Sequence, residues 1–115
     1  MEGIAKIYGP IVKIHTSLLA ARRVVEAGRP LESTEILVKC IDDLLHKLKF
    51  REVCLMLEYV DTDYFPPYVL TGVLTATKGR PSVERSYFLS RVEKSLLAKW
   101  GHSPDQVTET VERLR

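Results

Sequence analysis

The chain has 115 residues, the usual size of one domain, and its 45% hydrophobic and 28% charged content is that of a folded rather than a disordered protein. A net charge of +2 is too small to indicate, by itself, a nucleic-acid or membrane partner. The longest uncharged run, residues 64–77, is shorter than the roughly 18 apolar residues that a membrane span needs.

The first quarter of the chain predicts one amphipathic helix at about residues 10–27. Apolar residues from Ile11 to Val25 recur at spacings of three and four, and Gly9-Pro10 indicates a break with the proline as first helical residue. Gly28 is expected to end this helix.

Pro30 is expected to prevent the first helix from resuming, and a second helix is predicted at about 34–47, capped by Ser33 or Thr34. Residues 49–60 are apolar on nearly every side. They fit a separate helix at about 50–60, a continuation of the second helix, or a buried strand, and we expect a helix.

The second half of the chain predicts three more helices. Residues 66–77 have the β-branched content of a strand, but the proline pair before them favours a short helix. Further helices are predicted at about 83–100, capped by Ser82, and at about 104–114, where Ser103 and Gln106 form a capping box. The fold class is therefore predicted as all-α, a compact single domain of five or six short helices over residues 1–115, with orthogonal or bundle-like packing.

The residue types that carry catalysis or bind metals do not occur in recognisable arrangements. Cys40 and His46 are six residues apart and so point in different directions on a helix. Asp61 and Asp63 are read as caps of the helix that begins at the prolines. We therefore expect no enzyme, no catalytic residue, no metal and no cofactor, and we expect a cytoplasmic protein with two free thiols and no membrane association.

Residues 59–68, YVDTDYFPPY, hold three of the five tyrosines and one of the three phenylalanines. Tyr59 and Val60 end an apolar segment and are expected inside the protein. Tyr64, Phe65 and Tyr68 surround the prolines and cannot all face one core, so at least one ring is expected to be exposed. Because tyrosine and phenylalanine are enriched at interface hot spots, these three residues are the predicted partner-binding site.

A second candidate surface is basic. The segment 78–99 holds six of the 17 lysines and arginines, and these could contact an anionic partner: Lys78, Arg80, Arg85, Arg91, Lys94 and Lys99. The turn at Gly101 resembles that of a DNA-binding helix-turn-helix. The helix after it, however, carries Asp105, Glu109 and Glu112, which would approach phosphates at a cost.

These patterns predict a non-enzymatic protein–protein interaction module, an adaptor, regulator or oligomerising subunit, that docks through the aromatic and acidic corner and contacts another protein or itself. The basic face is a possible additional contact. A nucleic-acid-binding regulator that uses residues 78–99 and the C-terminal helix pair is the alternative.

Overall fold

The structure, a computed structural model, describes the backbone of residues 2–115 and the side chains of residues 11–115. This part of the chain forms six α-helices and no strand, which confirms the predicted all-α single domain. The helices are α1 (Glu2–Glu26), α2 (Pro30–His46), α3 (Phe50–Tyr59), α4 (Pro67–Ala76), α5 (Val83–Ala98) and α6 (Pro104–Leu114). None of the helices described is both long and apolar enough to cross a membrane.

Helix α2 packs along α1 and also against α4, while α3 contacts α1, α2 and α5. Helix α5 contacts α3, α4 and α6. The buried apolar side chains of these helices form one core, with fully buried members on α2 to α5 that include Leu37, Ile41, Met56, Leu70, Val73, Phe88 and Leu96. Among the helices described, α1 contacts α2 and α3.

Helix α1 begins earlier than the sequence predicts. We expected a break at Gly9 and a start at Pro10, but the helix runs from Glu2 through both residues. The apolar spacing of three and four already holds before the proline in the sequence, at Ile4, Ile7, Ile11 and Ile14. The helix ends as predicted, with Gly28 at a φ of +78° and a hydrogen bond from Arg29 N–H to the Val24 carbonyl.

Helix α2 also begins earlier than expected, at Pro30 rather than after Ser33 or Thr34. Proline suits the first turn of a helix because the N–H that it lacks would have no partner there. The proline expected to prevent α1 from resuming therefore starts α2. Ser33 is fully buried within the helix, and its hydroxyl makes no hydrogen bond to any described residue, so it caps nothing.

Residues 49–60 form a separate helix, and the break before it occurs without glycine or proline. Leu48 takes the left-handed conformation that normally favours glycine, with a φ of +58°. The N–H of Lys49 then donates to the carbonyl of Leu44, which closes the end of α2. Leu48 itself is exposed. Leucine has no preference for this conformation, so the residue type does not indicate a turn here.

Residues 67–76 form a helix rather than a strand, and Gly72 lets α4 approach α2 closely. A Cβ atom built on Gly72 would lie 2.6 Å from the Cγ2 methyl of Thr34. The later helices start at the predicted caps: Ser82 accepts the N–H of Arg85, and Ser103 and Gln106 form the predicted capping box.

Candidate interaction surfaces

The three aromatic residues predicted to bind a partner lie in different environments. Phe65 is 1% exposed and belongs to the core, Tyr64 is half-buried, and Tyr68 is 38% exposed. The Tyr64 and Phe65 rings pack edge to face with centroids 5.4 Å apart, so the two rings fill the corner together. At least one ring is exposed, as expected, but Phe65 is buried and is not available to a partner in this structure.

Tyr64 fastens this corner to the end of α1. Its hydroxyl lies 2.8 Å from Oε1 of Glu26 and 3.3 Å from the carbonyl oxygen of Arg22, and the Arg22 guanidinium lies 4.6 Å from the ring centroid. Burial raises the pKa of Tyr64, and the hydrogen bond to Glu26 raises it further, so the hydroxyl keeps its proton and donates it. These contacts give Tyr64 a structural role.

The two acids of the corner do not cap α4, contrary to the sequence prediction. Pro66 is the N-cap residue of α4 and receives no side-chain cap. Asp61 instead accepts the N–H of Asp63, and Asp63 lies 2.7 Å from the hydroxyl of Ser95 on α5. The indole N–H of Trp100 donates to the carbonyl of Thr62 in the same loop. Asp61 therefore stabilises the turn of the loop itself, and Asp63 holds the loop against α5.

Arg85, one of the six basic residues of segment 78–99, is buried rather than on a basic face. Only 6% of the residue is exposed. Its guanidinium donates to the carbonyls of Leu74 and Leu114, both at 2.7 Å, and to the hydroxyl of Thr77 at 3.1 Å. Burial lowers the pKa of Arg85. Leu74 and Leu114 lie in the last turns of α4 and α6, so the cation faces the negative ends of two helices.

Three more of these basic residues make contacts within the protein. Lys78 donates to the carbonyl of Arg113 near the end of α6, and Arg91 donates to the carbonyl of Leu57 near the end of α3. Arg80 stacks on the ring of Phe50. Unpaired helix-end carbonyls are what lysine and arginine commonly satisfy. The basic weight of this segment thus has a structural explanation, and Lys94 and Lys99 are exposed without such a contact.

The side chains of residues 11–115 bring no three histidine, cysteine or acidic residues together in a way that could hold a metal ion. Both cysteines are free thiols. Burial raises the pKa of the Cys54 thiol, which disfavours the reactive thiolate.

An apolar groove between α1 and α3 was missed in the sequence. Ile11 is 46% exposed on α1 and Tyr59 is 65% exposed on α3. The groove between them is lined by Ile11, Ile14, His15, Leu18, Leu55 and Tyr59. We call these six residues the α1–α3 groove. Ile14 is buried and Leu18 and Leu55 are partly exposed, so the exposed apolar surface of the groove comes mainly from Ile11 and Tyr59. Adjoining apolar surface marks contact sites more often than scattered apolar residues do.

A charged strip on α3 borders the groove. Arg51, Leu55 and Glu58 are spaced four and three residues apart, so they follow one line along the helix. Neither charged residue forms an ion pair with a described side chain. Beyond Glu58 the surface continues onto α5 at Val83 and Tyr87, both exposed.

Tyr59 was expected inside the protein because it ends an apolar segment, and that expectation was wrong. Val60, its neighbour, is fully buried. Adjacent side chains on a helix point about 100° apart, so the ring of Tyr59 is directed away from the core. Because no glycine or proline marks the break before α3, the sequence did not define which side of α3 would be covered. The spacing of Arg51, Leu55 and Glu58 along one line of the helix was the signal that could have indicated the exposed side of α3.

The chain matches no protein-family model, no curated protein and no solved structure at a significant level. Its function is therefore argued from the geometry of these surfaces.

Proposed function

We propose that this chain is a non-enzymatic protein–protein interaction module, and that its main contact surface is the α1–α3 groove. The observation that carries the proposal is the exposure of Ile11 and Tyr59 on opposite walls of a groove that Ile14, Leu18 and Leu55 line. A groove between two helices suits the apolar face of a partner helix, which would insert side chains three and four residues apart.

Burial of apolar surface would contribute to such a contact. Covering the exposed parts of Ile11 and Tyr59 would contribute of the order of 1–2 kcal/mol each, at about 25 cal/mol per Å² of apolar surface. Tyrosine also loses little conformational entropy when it is held at an interface, and it is enriched among hot-spot residues. The exposed ring of Tyr68 at the aromatic corner is a second, smaller contact in this proposal. Phe65 supports the corner from within.

The module is an adaptor or an oligomerising subunit, and we place it in the cytoplasm because Cys40 and Cys54 are both free thiols. The two roles differ only in whether the groove takes another protein or a second copy.

The proposal is tested by comparing Tyr59→Asp with Leu31→Asp, since both side chains are large, apolar and exposed but only Tyr59 lies at the groove. Self-association is measured by sedimentation velocity. Any protein that co-purifies with the wild type is identified, purified and titrated against each variant. We expect Tyr59→Asp to weaken the association at least tenfold and Leu31→Asp to change it less than twofold, with unchanged melting temperatures.

Equal effects of Tyr59→Asp and Leu31→Asp would contradict the proposal, as would the absence of any association by the wild type. A matching loss with Tyr68→Ala would show that the aromatic corner takes part as well.

Nucleic-acid binding by segment 78–99 stays an untested alternative. Because Arg85 and Arg91 hold helix carbonyls, reversing their charge would disturb the fold and test nothing about a ligand. Lys94→Glu with Lys99→Glu is the informative variant, since both lysines are exposed. A phosphate contact would make retention fall steeply with salt in the wild type and weaken in this variant.

A further inference from the structure

We propose that the occupant of the α1–α3 groove and its charged border is a second copy of this chain, packed antiparallel on α3 about a twofold axis. This inference rests on the proposed function and names the partner. It starts from the strip Arg51–Leu55–Glu58, which carries opposite charges at its two ends and an apolar residue between them.

The two charges are seven residues apart, about 10 Å along the helix axis at 1.5 Å per residue. A twofold axis near Leu55 reverses the direction of the second α3. It therefore sets Arg51 of each copy beside Glu58 of the other, and two equivalent ion pairs form at once. An isologous interface requires this kind of self-complementarity, in which one patch matches itself.

Apolar contact has to supply most of the affinity. Glu52 and Glu84 lie near Glu58 around the same depression, so the charges of this surface do not balance to a net attraction. Exposed ion pairs are also weak. Leu55, Ile11 and Tyr59 would bury the area that holds the copies together, and the Arg51–Glu58 pairs would define the register and the antiparallel direction.

The test is charge reversal followed by sedimentation velocity over a range of concentrations. We expect the wild type to be a dimer. Arg51→Glu or Glu58→Arg alone should raise the dimer dissociation constant about tenfold or more, because each change replaces two attractions by two repulsions. The double variant Arg51→Glu with Glu58→Arg should return the constant to within about threefold of the wild type, since the pairs are rebuilt with exchanged charges.

Glu109→Arg is the matched control. It reverses an exposed charge on α6, a helix that contacts α4 and α5 but neither α1 nor α3. It should leave the dissociation constant unchanged.

A wild type that stays monomeric at the highest concentration reached would overturn this inference. If Tyr59→Asp still abolished binding of a different, purified partner, the interaction module would stand and only the second copy would be wrong. A dimer that ignores both single reversals, or that the double variant fails to restore, would also overturn the antiparallel α3 contact.

Discussion

Replacing Arg85 by methionine is expected to lower the free energy of unfolding by roughly 2–4 kcal/mol, because each buried carbonyl left without a donor costs about 1–3 kcal/mol. Methionine has a similar apolar stem but no hydrogen-bond donor. The carbonyls of Leu74 and Leu114 would lose their 2.7 Å contacts, and the hydroxyl of Thr77 would lose a donor.

The magnitude follows from two opposing terms. Hydrogen bonds from a charged group contribute about 1.5–3 kcal/mol each, so three of them contribute several kcal/mol. Removing the guanidinium also relieves the cost of burying it, which offsets part of that loss. Domains of this size are stable by only about 5–15 kcal/mol, so the remaining loss would bring the variant close to unfolding.

The assay is urea denaturation followed by circular dichroism and by the fluorescence of Trp100. Lys94→Met removes an exposed cation from the same helix and should change the unfolding free energy by less than about 0.5 kcal/mol. Arg85→Lys keeps a charge but lacks the planar fork, so it should fall between the wild type and Arg85→Met. A loss below about 1 kcal/mol for Arg85→Met would refute the view that Arg85 joins the ends of α4 and α6.

Gly72→Ala should lower the melting temperature, because a clash costing about 1–3 kcal/mol with Thr34 outweighs the gain of about 1 kcal/mol in helix propensity. Adding Thr34→Ser removes the clashing methyl and should bring the melting temperature back towards the wild-type value. Leu48→Gly should stabilise the protein by about 1 kcal/mol in urea denaturation, since it relieves a left-handed leucine; a loss would show that Leu48 packs. The hydrogen bond from Lys13 lowers the pKa of Asp43, so its stabilisation is present above the unfolded pKa near 3.9 and lost as pH falls below it. Asp43→Asn should therefore flatten the acid limb of a stability–pH titration, and an unchanged limb would exclude the pair.

Local signals in the sequence were sufficient at some helix termini and failed at others, such as the start of α2, where Ser33 was expected to be the cap. Gly28 and the capping box of Ser103 and Gln106 act in the structure as their residue types predict. Leu48 shows the limit of such signals. Its left-handed backbone closes α2 through the hydrogen bond from Lys49 N–H to the Leu44 carbonyl, and leucine has no local preference for that conformation. The residue type at this position therefore does not indicate the boundary.

The same limit applies to the candidate site residues, whose burial depends on distant parts of the chain. Arg85 and Lys94 are indistinguishable as basic residues of one helix, yet one is buried against two helix ends and the other is exposed. A count of charge along the chain cannot separate them, because the carbonyls that Arg85 meets belong to residues 11 and 29 positions away. Two aromatic residues of one short segment differ in the same way, since Phe65 is buried and Tyr59 is exposed.

The burial of Arg85 and of Phe65 changes which surfaces are available to a partner. If the basic residues of segment 78–99 serve mainly to close helix ends, they strengthen the half of the protein that contains α4, α5 and α6. The aromatic corner also has a structural role, because Tyr64 joins α1 to the loop before α4. Both features are directed inward, whereas the α1–α3 groove has large apolar side chains that no described helix covers. An exposed Tyr59 beside an exposed Ile11 adds little to folding, which is why we propose this surface as the contact with a partner.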